Sequence, residues 1–250
     1  MPRYFVKLAY DGQAYHGWQR QKNAMSVQQV IEDSLSTILR TPSYVIGCGR
    51  TDTGVHAKEY YLHVDLEAGL DLETVRFRWN QTLPPDIAIH EIIPVHEKAH
   101  ARFDATAREY RYFIHRKKDA FSYGRSYLLR KNLDQEAMQE AAQELIGKKD
   151  FEAFARTHSD QKTSICDLKK ASWTFLEDEW VFTIVADRFL RNMVRAIVGT
   201  LVEVGEHKLD LDAFREVILS KDRSKAGTSA PAQGLYLYRI DYPYLQHHGE

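Results

Sequence analysis

The sequence predicts an α+β protein built from two ferredoxin-like β-α-β-β-α-β halves, residues 1–105 and 106–250. Their strands would form a continuous, mainly antiparallel sheet with helices behind it. Three observations predict this. Alternating apolar stretches of strand length occur in both halves, longer segments of helical spacing separate them, and the order of the two kinds of segment repeats from one half to the other.

Near the N-terminus, Tyr4, Val6, Leu8 and Tyr10 alternate with Arg3, Lys7 and Ala9, which reads as a strand. Ser26 followed by Gln29 offers a capping box. Val27, Val30, Ile31, Leu35, Ile38 and Leu39 then keep helical spacing until Pro42. A short strand is expected from Tyr44 into a glycine-rich loop. After that loop, Tyr60, Leu62, Val64 and Leu66 alternate with Tyr61, His63, Asp65 and Glu67, as in a strand with one buried face. A helix over 72–83 stops at Pro84-Pro85, and 87–95 is extended again. In the second half the expected order is a strand over 109–116, a helix over 134–146, strands near 169–176 and 179–187, helices over 189–204 and near 211–219, and a strand over 235–242. The helix over 189–204 has an apolar stripe of Leu190, Met193, Val194, Ile197, Val198 and Leu201.

The chain has 44% hydrophobic and 28% charged residues, as in an ordinary soluble globular protein. Cys48 and Cys166 stand far apart without CxxC or CxxH spacing, which argues against a disulfide framework or a zinc site and fits the reducing cytoplasm. The N-terminal stretch carries Arg3, Lys7 and Asp11 and does not read as a signal peptide. No apolar run approaches the ~20 residues that span a bilayer, so no membrane partner is expected. The net charge of −1 hides a basic segment from Arg108 to Lys131, with eight Lys or Arg against Glu109 and Asp119, which suits a polyanion-binding face or a solvated loop.

The stretch GCGRTDTGVHA, 47–57, concentrates three glycines around Arg50 and Asp52. Glycine is placed where a chain turns sharply or approaches something closely. A guanidinium near Asp52 would keep its carboxylate ionised, and an ionised carboxylate can act as a nucleophile; an Asx-type turn is the other reading of the same residues. Asp52-Thr53-Gly54 also spells the DTG of aspartic proteases, but those need a second carboxylate of the same kind and none follows. His56, His63 and Asp65 have no recognisable metal-ligand spacing, and Gly47-x-Gly49 lacks the third glycine of a dinucleotide fingerprint.

Two further segments carry candidate chemistry. Arg108-Glu109-Tyr110-Arg111-Tyr112-Phe113 interleaves aromatic and cationic residues on a strand, as an RNA surface does or as a strand whose tyrosines fill a core. Arg195 lies opposite the apolar stripe, one turn before Gly199, where it could reach a phosphate or a carboxylate, although solvation explains its neighbours Arg188 and Arg191 as well.

Together, YDGQAYHGWQRQ, GRTDTGVHA, HARFDATAREYRY, FLRNMVRAIVGTLVEVG and AGTSAPAQGLYL resemble the tRNA pseudouridine synthase I (TruA) family, in order and over nearly the whole chain. Thr53 stands where that family often has alanine, and Cys48 replaces a small residue. The resemblance implies the pseudouridine synthase fold, with the nucleophile loop in 1–105 and a second half, 106–250, completing the active-site cleft. It implies isomerisation of uridines 38, 39 and 40 in the anticodon arm of tRNA by a homodimer. By the same resemblance Asp52 is the nucleophile, Arg50 its partner in the motif and Arg195 its ion-pair partner, while Tyr110 stacks on the uracil and Leu235 lines the pocket. Uridine and pseudouridine are isomers, so the reaction calls for no cofactor and no metal. A non-catalytic RNA-binding module on the same fold is the rival reading.

Overall fold

A computed structural model describes residues 1–157 and 162–245. Among the described residues, ten strands and five α-helices make the protein mixed α+β, with a mostly antiparallel sheet. The chain divides into two compact units, one of residues 1–106 with 237–250 and one of 107–236.

The first unit runs β1 (Arg3–Tyr10), α1 (Val27–Leu39), β2 (Ile46–Gly47), β3 (His56–Asp65), α2 (Leu72–Thr82) and β4 (Ile87–Val95), the anticipated β-α-β-β-α-β order. Strand β1 lies between β3 and β4, antiparallel to both, and β2 pairs with β3. Helix α1 begins where the capping box placed it: the Ser26 Oγ accepts the Gln29 N–H at 3.3 Å. It buries Val27, Ile31 and Leu35 and ends at Arg40 in the left-handed conformation (φ 57°).

Two expectations need correction here. Tyr44 and Val45 are not part of a strand, because side chains of α1 satisfy the backbone of Val45: Glu32 accepts its N–H at 3.2 Å and Gln28 donates to its carbonyl at 3.1 Å. Only Ile46–Gly47 pair with β3. Strand β3 buries both faces rather than one, with Tyr61 and His63 each 3% exposed. The segment after β4 and the chain end cover the second face. The Ala101 N–H donates to His63 Nδ1 at 3.1 Å, and Tyr242 packs edge-on against Phe5 and Tyr61 while its hydroxyl donates to Ala101 O.

The second unit contains β5 (Ala107–His115), β6 (Tyr127–Leu128), α3 (Gln135–Gln143), β7 (Gly147–Asp150), β8 (Ile165–Phe175), β9 (Glu179–Ala186), α4 (Met193–Gly205) and α5 (Leu211–Ser220). Its antiparallel order is β5-β9-β8-β7, with β6 parallel to β5. Strand β10 (Leu235–Asp241) starts in this unit, and its residues from Leu237 onward belong to the first. The core gathers Phe182 and Ile184 from β9, the α4 stripe, and Phe151, Phe154 and Phe214, all fully buried apart from Leu190 and Val194 at 6% and 4%.

Helix α4 is shorter than its periodicity suggests. Asn192 is left-handed (φ 66°), so Phe189–Arg191 lie outside the helix although Leu190 still packs into the core. Arg188 and Arg191 therefore do not share a helix face with Arg195.

Candidate active site

In the first unit the loop 47–55 rests on an aromatic floor. The Trp18 ring stacks on Tyr60 at 4.1 Å and 26°, and Tyr10 lies 5.6 Å from Tyr60. Burial pushes the Tyr60 phenol well above its ordinary pKa, so it stays protonated and donates to Gly49 O at 2.5 Å. Thr51, immediately before Asp52, is 9% exposed; its hydroxyl and that of Tyr10 share a hydrogen bond of 2.9 Å, and its carbonyl accepts the Trp18 N–H at 3.4 Å.

Asp52 sits at the first position of a turn closed by the Val55 N–H on Asp52 O at 3.1 Å, with Gly54 at φ 77° in the third position. The Gly54 N–H in turn donates to Tyr15 O at 3.3 Å. Residues 10–18, YDGQAYHGW, thus wrap the turn from outside. Gly17 is required there twice over, by its φ of 81° and because a Cβ would lie 2.2 Å from Thr51 O. The backbone around the nucleophile candidate is fixed on both sides, while its side chain remains half-buried and Arg50 is exposed.

Arg50 lines a cleft of about 130 Å³ together with Trp18, Gln28, Gly47, Gly49 and Arg102. Arg102, with its guanidinium 5.5 Å over the exposed ring of Phe103, was not singled out from the sequence. The pattern was present in HARFDAT, but nothing in its spacing tells an arginine at a cleft from one on a loop. The three groups once weighed as metal ligands have other work. His56 Nδ1 accepts the Gly12 N–H at 3.1 Å and lies 3.0 Å from Asp11 Oδ1; His63 accepts from Ala101; Asp65 pairs with Arg3 through both oxygens at 2.8 and 2.9 Å. Among the described residues no group of three or more His, Cys, Asp or Glu could hold a metal ion.

In the second unit, Tyr110 is half-buried and meets Phe189 edge-on at 5.0 Å and 84°. Tyr112, two residues on, is fully buried and donates its hydroxyl to Pro231 O at 2.7 Å, so of the two tyrosines only Tyr110 offers a ring to a ligand. Arg195 and Ala230 hold each other twice: Arg195 Nε donates to Ala230 O at 2.7 Å, and the Ala230 N–H donates to Arg195 O at 2.9 Å. This fixes the plane of the guanidinium.

The segment 226–234 forms a strap along α4. The Gly227 N–H donates to Thr200 Oγ1 at 2.9 Å, and Asn192 donates to Ser229 Oγ at 2.7 Å. Gly199 lets the strap lie flush, since a Cβ there would stand 1.8 Å from Thr228 O. The strap delivers the chain to Leu235, which is 6% exposed at the start of β10. Within each unit these residues are thus held by short local networks: Arg50 and Asp52 on one glycine loop, Arg195 against the middle of the strap and Leu235 just past its end.

The family described as tRNA pseudouridine synthase matches residues 8–104 and 141–243. A protein of Parabacteroides distasonis named tRNA pseudouridine synthase A is 51% identical over 244 residues, covering 97% of each chain. Proteins of the same name are 52% identical in Bacteroides thetaiotaomicron, over 97% of this chain and 91% of theirs, and 51% identical in Porphyromonas gingivalis, over 97% and 98%. No helix among the described residues is long and apolar enough to cross a membrane.

Proposed function

This chain belongs to the tRNA pseudouridine synthase family, and we propose that it isomerises uridines 38, 39 and 40 in the anticodon arm of tRNA, in the cytoplasm and as a homodimer. The observation that carries the reading is the half-buried Asp52 on a turn whose backbone is held by Tyr15 and Trp18, with the preceding Thr51 side chain bonded to Tyr10. A nucleophile must be held in one place and still be reachable, and this turn meets both needs.

The reaction breaks the N1–C1′ bond, turns the ring and joins C5 to C1′; the C5 hydrogen leaves and the freed N1 gains one, so atoms and electrons balance without an oxidant or reductant. The Asp52 carboxylate attacks C1′ or C6 and splits this change into two easier steps. The base has to leave its stack first, and Tyr110, edge-on to Phe189, supplies a ring for it. Arg195, oriented by Ala230, serves as a catalytic cation, and Leu235 supplies apolar lining; both roles rest on the family likeness. Arg50, lining the same cleft as Arg102, holds phosphate or the motif's own carboxylate.

The test is release of tritium from tRNA labelled at C5 of uridine. Asp52→Asn is expected to abolish release while tRNA affinity stays within a few-fold of wild type. Wild-type protein that binds tRNA and releases no label would overturn the catalytic reading.

A further inference from the structure

The first two turns of α1 carry an amide and a carboxylate whose hydrogen bonds all go to holding other parts of the chain. Gln28 uses both acceptor and both donor positions of its amide. Its Oε1 accepts the Arg20 N–H at 3.0 Å and the Gln19 side-chain amide at 2.8 Å, while its Nε2 donates to Val45 O at 3.1 Å and to Glu32 Oε1 at 3.0 Å. Glu32 is 4% exposed and accepts from three donors. Gln28 and the Val45 N–H, at 3.2 Å, share Oε1, and Arg20 Nη1 donates to Oε2 at 3.0 Å. The backbone N–H of Gln28 adds a bond to Trp18 O at 3.0 Å.

One pair of side chains thus fastens two segments to one helix, residues 18–20 and Val45. Both segments lead to the loop of Asp52: the Trp18 N–H donates to Thr51 O, and Val45 runs through β2 into the loop itself. Both also line the cleft of Arg50, with Trp18 and Gln19 from the first, Val45 from the second and Gln28 from the helix. Arg50 depends on such support. It is exposed, and among the described residues no hydrogen bond or ion pair holds its side chain, so its backbone alone sets where it reaches. Gln28 lines the same cleft but has no donor or acceptor left for a ligand. A buried polar network in which every member is satisfied rigidifies the chain around it and specifies one arrangement.

We infer that Gln28 and Glu32 are positioning residues for Arg50: by fixing residues 18–20 and Val45 to α1, they set where its guanidinium stands in the cleft. The inference rests on the uridine isomerisation proposed above and adds to it two residues that act through another. Glu32→Gln tests it with almost no change of volume. Whichever way the new amide turns, its NH2 group meets a donor, Arg20 on one side or Gln28 and Val45 on the other. The readout is the rate constant of tritium release from tRNA labelled at C5 of uridine, in single turnover with protein in excess so that slow variants are still read. Wild type, Glu32→Gln, Arg50→Lys and the double variant are compared. Arg50→Lys keeps the charge and removes the planar fork whose placement is at issue.

Glu32→Gln is expected to slow release at least tenfold in the wild-type background and less than threefold in the Arg50→Lys background, with far-ultraviolet circular dichroism unchanged. Residues that act through one another are non-additive in this way, whereas independent losses multiply. Should Glu32→Gln fail to fold, Gln28→Met removes the amide's bonds to both segments and takes its place in the same comparison. A folded variant that releases label at the wild-type rate, or one whose loss is as large in the Arg50→Lys background, would overturn the inference and leave the isomerisation standing. Wild type that releases no label would overturn the isomerisation itself, and the inference with it.

Discussion

Tyr10 and Thr51 place a buried hydroxyl pair of 2.9 Å directly behind the candidate nucleophile. Removing one partner of such a pair leaves the other unsatisfied, at a cost of about 1–3 kcal/mol. Tyr10→Phe is therefore expected to lower kcat while KM for tRNA stays near wild type, because the ring still packs on Tyr60 and only the position of the turn loosens. An unchanged kcat would show that the Trp18 and Tyr15 backbone contacts hold the turn unaided. Tyr110→Ala removes a half-buried ring of β5, and loss of stacking worth roughly 1–3 kcal/mol should slow turnover by about 5- to 150-fold. Near-normal turnover there would place the aromatic wall elsewhere, though not at Tyr112, which is fully buried. At this scale the motifs single out a candidate acid, Asp52, and a candidate stacking ring, Tyr110. They do not reveal the Tyr10–Thr51 pair or the stack of Trp18 on Tyr60, because these join residues forty or more positions apart.

Elements were legible wherever one rule decided them. Strand β1 and the start of α1 follow from alternation and from the Ser26 cap. Strand β3 was misread because alternation reports a half-buried strand, whereas its polar positions are buried through tertiary partners: His63 under Ala101, Tyr61 under Tyr242. Helix α4 was read too long for a related reason, since Leu190 is buried without being helical. The strap over α4 gives this scale its own prediction. Alanine in a helix interior is favoured over glycine by about 1 kcal/mol, so Gly199→Ala ought to stabilise the protein if propensity alone acted. A Cβ at that position would instead meet Thr228 O at 1.8 Å and push the strap, with Ala230, away from Arg195. The expected result is a lower melting temperature and a kcat reduced by at least tenfold, with far-ultraviolet circular dichroism retained. A gain in melting temperature with full activity would mean that the strap does not position Arg195.

For the molecule as a whole, acid stability reports how the second face of β3 is closed. Burial, with help from the Arg3 and His100 charges, pushes the His63 imidazole down to about 4. Its Nδ1 already accepts the Ala101 N–H, so a proton there would set two donors against each other. In the unfolded chain the same ring titrates near 6.5, so between that value and 4 the unfolded state binds more protons than the folded one. Stability is then fully present above about pH 7 and falls as pH drops through this window, by at most about 3 kcal/mol from this group. His90 and His100 are also held below their ordinary values, mainly by burial, and act in the same direction. The carboxylate of Asp65, held low by Arg3, adds its loss only at more acid pH, which keeps the window clear. Urea unfolding at pH 7, 6 and 5 should show stability declining with pH in the wild type and declining less in His63→Gln, which keeps an acceptor but cannot be protonated. Equal slopes in the two proteins would mean that His63 is charged in the folded state and that the cover over β3 opens to water.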